Sequence, residues 1–189
     1  MGIFLDDERG GLVLADLDEV SLPILEALPK FARGEGADLF LNPSVVRGRE
    51  ALTREGEEMN DDWAEFVAPD LQTLFDEQLQ RVVADLEAAE PSIGVPGAVD
   101  VVIAPSHLEA WFGALNQARL AMNEEFGCEA LEAPEPHDPN VVEELSDDQH
   151  FAMHHFMFYR FLQEMVMQAM RVSGLMDVDD GPDGGAAGG

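Results

Sequence analysis

The apolar positions at the start of the chain predict a short β-hairpin. Two apolar runs, IFL and LVL, flank the segment DDERGG, whose glycines supply turn conformations. We therefore expect a hairpin over about residues 2–15. A later apolar run, VVI at residues 101–103, ends a loop that contains proline and glycine, and we interpret it as a further extended strand.

After the hairpin, apolar residues recur at helical spacing. The segment LDEVSLPILEALPKFAR predicts one helix, with Pro23 in its first turn and Pro29 kinking or ending it. Residues 33–60 contain several glycines and a proline, which is typical of an exposed connection.

A strongly helical pattern follows from Asn60 or Asp61, either of which can cap it. Pro69 divides this pattern into a short first helix and a longer second one. Its apolar residues are expected to form one inward stripe: Phe66, Leu71, Leu74, Phe75, Leu79, Val82, Val83 and Leu86.

Two long amphipathic helices are predicted in the second half of the chain, at residues 106–126 and 147–173. Ser106 and Glu109 have the spacing of a capping box, and Gly127 is a suitable C-cap. The last helix is expected to start at Ser146 or Asp147 and to stop near Gly174. Because about twenty residues join them, we expect the two helices to form an antiparallel pair.

These elements predict a mainly α fold, a helical bundle with a small N-terminal β-hairpin. We expect one helical domain at residues 1–175 and a disordered, acidic, glycine-rich tail at residues 176–189. The tail has almost no apolar residue with which to join a core.

Charge narrows the range of partners. The chain has 39 acidic and 10 basic residues, a net charge of −29, and such a field repels phosphate groups. Nucleic acid is therefore a disfavoured partner. No apolar run is long enough to cross a membrane, and the single Cys128 excludes an internal disulfide. We expect a cytoplasmic protein.

The last predicted helix contains the sharpest candidate for a metal site. Asp147, His150 and His154 are spaced to lie on one helical stripe, where they could bind zinc or another divalent cation. The segment before the helix could complete the ligand shell with Glu143, Glu144 or His137. However, there is no H-E-x-x-H pattern, and the high density of Phe and Met around the histidines is typical of a core helix. We favour histidines at the rim of the core, and we expect no cofactor.

A second candidate is a polar group beside the predicted core. Asn116 and Arg119 project from one edge of the helix that buries Trp111, and polar groups in such a position need partners. Gln163 or Glu164 on the last helix could supply them. We favour a hydrogen-bond network that fixes the register of the two helices. A contact with a ligand or a partner is the alternative.

Two segments resemble a known bacterial family. WFGALNQARL at residues 111–120 and YRFLQE at residues 159–164 are similar to the W-x3-LN-x2-RL helix and the closing helix of the DUF2017 family. The segment GGLVLADLDEVSLPILEAL resembles that family's hairpin and following helix. The resemblance extends over most of residues 1–173, but the acidic connection at residues 127–146 and the histidine-rich closing helix depart from it.

The resemblance implies a helical protein without an established activity. Genes of the family commonly lie beside the gene of the Clp protease adaptor that recognises N-degrons, and some members are labelled as transcriptional regulators. We therefore expect a non-enzymatic protein-interaction or regulatory factor, linked to regulated proteolysis, that binds a partner protein or a second copy of itself. A metal-binding protein or metal-dependent enzyme using Asp147, His150 and His154 is one alternative, and a transcriptional regulator is another.

Overall fold

A four-stranded antiparallel sheet combines the N-terminal hairpin with two short strands from the middle of the chain. The structure is a computed structural model that describes residues 1–6, 11–34, 62–63, 65–128 and 146–175. Its strands are β1 (Gly2–Asp6), β2 (Gly11–Leu17), β3 (Glu90–Pro91) and β4 (Val99–Ile103), in the order β1-β2-β4-β3. The predicted hairpin is confirmed as β1 and β2, and the expected extended strand is β4.

The two faces of the sheet differ. Leu12 and Leu14 on β2 and Val101 and Ile103 on β4 are buried against the helices. Because side chains alternate across a strand, the next residues point to the opposite face. There Phe4, Val13 and Val102 are paired in one row across three strands, and Phe4 and Val102 are exposed.

Two short helices follow the hairpin, where the sequence predicts one. They are α1 (Ser21–Glu26) and α2 (Leu28–Ala32), and the single residue Ala27 separates them. The expected kink is therefore present just before Pro29, which lies in the first turn of α2. The first turn tolerates proline because its backbone N–H groups have no helical acceptor.

The next long helix, α3 (Ala68–Glu87), starts near Pro69 as predicted, and its expected inward stripe is confirmed in part. Leu79 and Val82 are buried, whereas Phe66 before the helix and Leu74 within it are exposed. The C-terminal half of α3 carries the residues that reach the core, and helical spacing alone does not show how far along a helix its partner extends. The expected caps, Asn60 and Asp61, lie outside the described residues.

The two long C-terminal helices form the most extensive packing between helices. They are α4 (Leu108–Phe126) and α5 (Asp147–Val172). Both helices contribute fully buried side chains to the core: Trp111, Leu115, Ala118, Phe156, Tyr159, Leu162 and Val166. The Tyr159 hydroxyl donates a hydrogen bond of 2.6 Å to the Ile24 carbonyl, which attaches α5 to α1.

The ends of these helices test the predicted caps. Gly127 ends α4 in the left-handed region, with φ of 68°, and its N–H donates to the Asn123 carbonyl, as predicted. The prediction of a capping box at Ser106 and Glu109 is wrong. Ser106 lies in a 3-10 turn, and His107 precedes α4 without a side-chain cap. Helix α5 follows the cap residue Ser146, whose side chain and that of Gln149 form a capping box.

The mainly helical fold with its N-terminal hairpin is therefore confirmed. The antiparallel unit is larger than the sequence predicts, because β2 also pairs with β4. None of the helices that the structure describes is sufficiently long and apolar to span a membrane. The expected tail at residues 176–189 lies outside the described residues, and the domain boundary stays a prediction.

Candidate functional site

The predicted polar group between α4 and α5 is centred on Arg119. Its Nη1 atom donates a hydrogen bond of 2.6 Å to Oε1 of Gln163, and its guanidinium carbon lies 5.0 Å from the ring centroid of Phe156. The Nε atom is buried without a hydrogen-bond partner. Arg119 forms no ion pair with any carboxylate in the described part of the chain. An amide and an aromatic face are thus the groups that hold this cation inside the helix pair.

The other predicted members of this group lie apart from that contact. Asn116 is half-buried on α4. Glu164 is exposed, and its carboxylate lies 3.9 Å from Arg160 on the same helix. Trp111 is buried about two turns before Arg119 and takes part in a different contact. The structure therefore brings Arg119 and Gln163 together, and Glu164 stays on the surface.

Trp111 belongs to a cluster with Asp85 and His107. Its Nε1 atom donates a hydrogen bond of 2.8 Å to Oδ2 of Asp85, and Oδ1 of Asp85 lies 2.9 Å from Nδ1 of His107. One carboxylate on α3 thereby satisfies the buried indole and holds the imidazole at the start of α4. The sequence shows His107 and Trp111 four residues apart, but nothing in it points to Asp85 on another helix.

The three residues of the predicted metal site, Asp147, His150 and His154, are all exposed on the first turns of α5. Two turns of helix separate the first from the last, a rise of about 10 Å. Across the described ranges, no three His, Cys, Asp or Glu side chains come together to hold a metal ion. The further ligands Glu143, Glu144 and His137 lie outside the described residues, so the metal site stays a prediction.

A third histidine of this helix, His155, is buried, and the sequence reasoning missed it. Its Nδ1 atom lies 2.8 Å from the Phe151 carbonyl oxygen, and its ring packs among Phe31, Phe151 and Tyr159. Burial lowers the pKa of His155, and the neighbouring His154 lowers it further. Its helical spacing to Ala152, Tyr159 and the other inward residues is the feature of the sequence that predicts its burial.

Helix α5 also carries large apolar side chains on the surface, and one of them, Phe151, lies at the border of the buried face, where its ring contacts His155 and Phe31. Phe151, Met157 and Phe161 are 57%, 56% and 49% exposed, and the exposed His154 lies between the first two. These four residues, which we name the outer stripe, are three, three and four apart and therefore share one helical face. The expectation that the dense Phe and Met of this segment fill the core holds for Phe156 and is wrong for the outer stripe.

The family comparison agrees with the elements that carry these contacts. Residues 10–170 match the family described as Domain of unknown function (DUF2017). No curated protein and no solved structure matches the chain. The match extends from β2 through the Trp111 helix to the end of the buried face of α5, and the chain belongs to the DUF2017 family.

Proposed function

We propose that this protein is a non-enzymatic interaction factor with a regulatory role, and that it binds a partner protein through the outer stripe of α5. One observation carries the proposal. Three large apolar side chains of α5 are about half exposed outside its buried face: Met157 and Phe161, and Phe151 at the border, where its ring also contacts His155. Single exposed apolar residues are common on protein surfaces, whereas a continuous exposed apolar surface marks an interaction site.

The charge distribution supports the same surface. The chain has 39 acidic residues, yet residues 151–161 contain none, and Arg160 is their one formally charged residue at neutral pH. A partner can therefore approach the outer stripe without meeting carboxylates on that part of the helix. The thioether of Met157 is flexible and polarisable, which suits contact with a partner surface of irregular shape.

Regulated proteolysis in the cytoplasm is the setting that we propose, because the family resemblance implies an association with a Clp protease adaptor. The net charge of −29 argues against the alternative of direct binding to DNA, which requires a basic face. A role as a metal-dependent enzyme gains no support from the exposed positions of His150 and His154.

The proposal is tested by affinity capture with two matched variants of the full chain. In the first, Phe151→Ser, Met157→Ser and Phe161→Ser remove the apolar side chains of the outer stripe. In the second, Arg160→Ser and Glu164→Ser change exposed residues of the same helix and leave the net charge unchanged. Circular dichroism establishes that both variants retain the helical fold.

We expect the first variant to lose proteins that the wild-type chain captures, and the second to retain them. Quantitative mass spectrometry of the captured proteins measures the difference. The proposal fails if the two variants capture the same proteins in the same amounts.

A further inference from the structure

The free edge of β1 differs from the usual edge of a natural sheet. Strand β1 is five residues long, pairs residue by residue with β2, and contains neither lysine nor proline. Natural proteins commonly protect an edge strand with such residues, with a bulge or with a very short strand. Within the described residues β1 pairs with β2 alone, so its second side offers backbone groups to another strand.

A cavity of about 360 Å³ opens beside this edge. It lies between β1 and the C-terminal half of α5 and is lined by Ile3, Phe4, Leu5, Leu12, Met165 and Gln168. Ile3 and Leu5 point to the helix side of the sheet, in register with the buried Leu14 and Leu12. A strand that paired with β1 would alternate in the same way and would direct every second side chain toward this cavity.

Acidic residues adjoin both strands of the hairpin in the sequence. Asp6 ends β1, and Asp7 and Glu8 follow it in the sequence. At the other end Gly2 pairs with Ala15, and β2 continues toward the exposed residues Asp18 and Glu19.

Hydrogen bonds keep one of these groups ionised. The backbone N–H and the hydroxyl of Ser21 and the N–H of Val20 all donate to the Asp18 carboxylate and lower its pKa to about 2. A segment with positive charges at its ends therefore complements this edge.

We propose that the free edge of β1 binds an extended segment of a partner protein by strand addition, and that this segment has an apolar core with basic residues at its ends. Strand addition obtains affinity from backbone hydrogen bonds and specificity from pockets for alternate side chains, and both are available here. The inference rests on the proposed function, in that it takes the chain to be a protein-binding factor, but it concerns the sheet edge and not the outer stripe.

A second copy of this chain fits the edge less well. Two copies would bring together two net charges of −29, whereas a basic segment is attracted by the same field. Edge-to-edge pairing of two β1 strands is therefore an outcome that the experiment must be able to detect.

The probe is a fluorescent nine-residue peptide with a core of five alternating valine and threonine residues between paired lysines. Its binding to the full-length protein is followed by fluorescence anisotropy. One control peptide carries N-methyl groups on alternate core amides, which removes the donors of one strand edge and keeps the charge. A second control replaces the lysines with glutamates. We expect measurable binding of the probe and at least about fivefold weaker binding of each control.

Two protein variants locate the site. Phe4→Lys adds a lysine to the edge strand, and Val102→Lys adds the same charge on β4, in the same exposed row. We expect Phe4→Lys to weaken probe binding by about fivefold or more, and Val102→Lys to change it less. Thermal unfolding of both variants verifies that the sheet is intact.

Equal binding of the probe and its N-methylated control, or equal effects of the two variants, would overturn the proposal. Self-association in sedimentation that Phe4→Lys abolishes would overturn it in favour of a dimer. If no peptide binds while capture still depends on the outer stripe, strand addition fails and the proposed function stands. If the probe binds at β1 and capture does not depend on the outer stripe, the proposed function fails at that surface.

Discussion

The two faces of α5 contain the same kinds of residue in opposite environments. Phe156 and Tyr159 on the inner face are fully buried against α4 and the short helices. Phe151 and Phe161 on the outer stripe are about half exposed. Because an apolar side chain stabilises a fold in proportion to the area it buries, the inner face of α5 contributes more to stability than the outer stripe.

The largest expected effect is a difference in the free energy of unfolding between substitutions on the two faces. Phe156→Ala leaves a cavity beneath Arg119 and removes its aromatic contact, and we expect it to lower the free energy of unfolding by about 3–5 kcal/mol. Phe161→Ala, the matched change on the outer stripe, should lower it by less than about 1 kcal/mol. Urea denaturation measures both values. Similar losses in the two variants would show that the faces do not differ as described.

The second expected effect concerns the cluster of Asp85, His107 and Trp111, which links α3 to α4. Asp85→Ala leaves the buried Nε1 of Trp111 without its acceptor and releases His107, so we expect a loss of about 2–3 kcal/mol in the free energy of unfolding. Glu77→Ala changes an exposed acid on the same helix and is the control, with an expected change within about 0.5 kcal/mol. Equal unfolding curves for the wild-type protein and Asp85→Ala would contradict a stabilising role for this cluster.

The smallest expected effect is on the pH dependence of stability, to which the buried His155 contributes and the exposed His154 does not. The folded-state pKa of His155 lies below its ordinary value of 6.5 because the side chain is buried. The unfolded chain therefore binds the proton first, so the stability contributed by neutral His155 is complete above pH 6.5 and is lost as pH falls from there through the lowered pKa.

We expect His155→Phe to reduce this acid-side loss of stability, and His154→Gln to leave it unchanged. Urea denaturation at a series of pH values tests the difference. A pH dependence that responds to His154→Gln and not to His155→Phe would reverse the assignment.

Local signals in the sequence predict much of the fold. The hairpin follows from two apolar runs around glycines, and the end of α4 follows from Gly127. The expected start of α5 at Ser146 or Asp147 is confirmed, since Ser146 caps the helix. Each of these features depends on residues a few positions apart, which is why a pattern along the chain predicts it.

The features that the sequence does not predict depend on contacts between distant residues. Asp85 is 22 residues from His107 and 26 from Trp111, and neither spacing is a recognised motif. The outer stripe is another case, since helical periodicity shows that α5 has apolar residues on two sides but not which side meets α4. The exposed first half of α3 has the same explanation.

Site-specific photocrosslinking tests the central claim, that the outer stripe is a protein-binding surface, most directly. Two variants of the chain are compared. A photoreactive amino acid replaces Met157 in the first and the exposed Arg81 on α3 in the second, and cells that contain each variant are irradiated. We predict a discrete crosslinked species from position 157 and none from position 81, with mass spectrometry identifying the crosslinked protein. Adducts of equal amount and identity at both positions, or no adduct at position 157, would contradict the account.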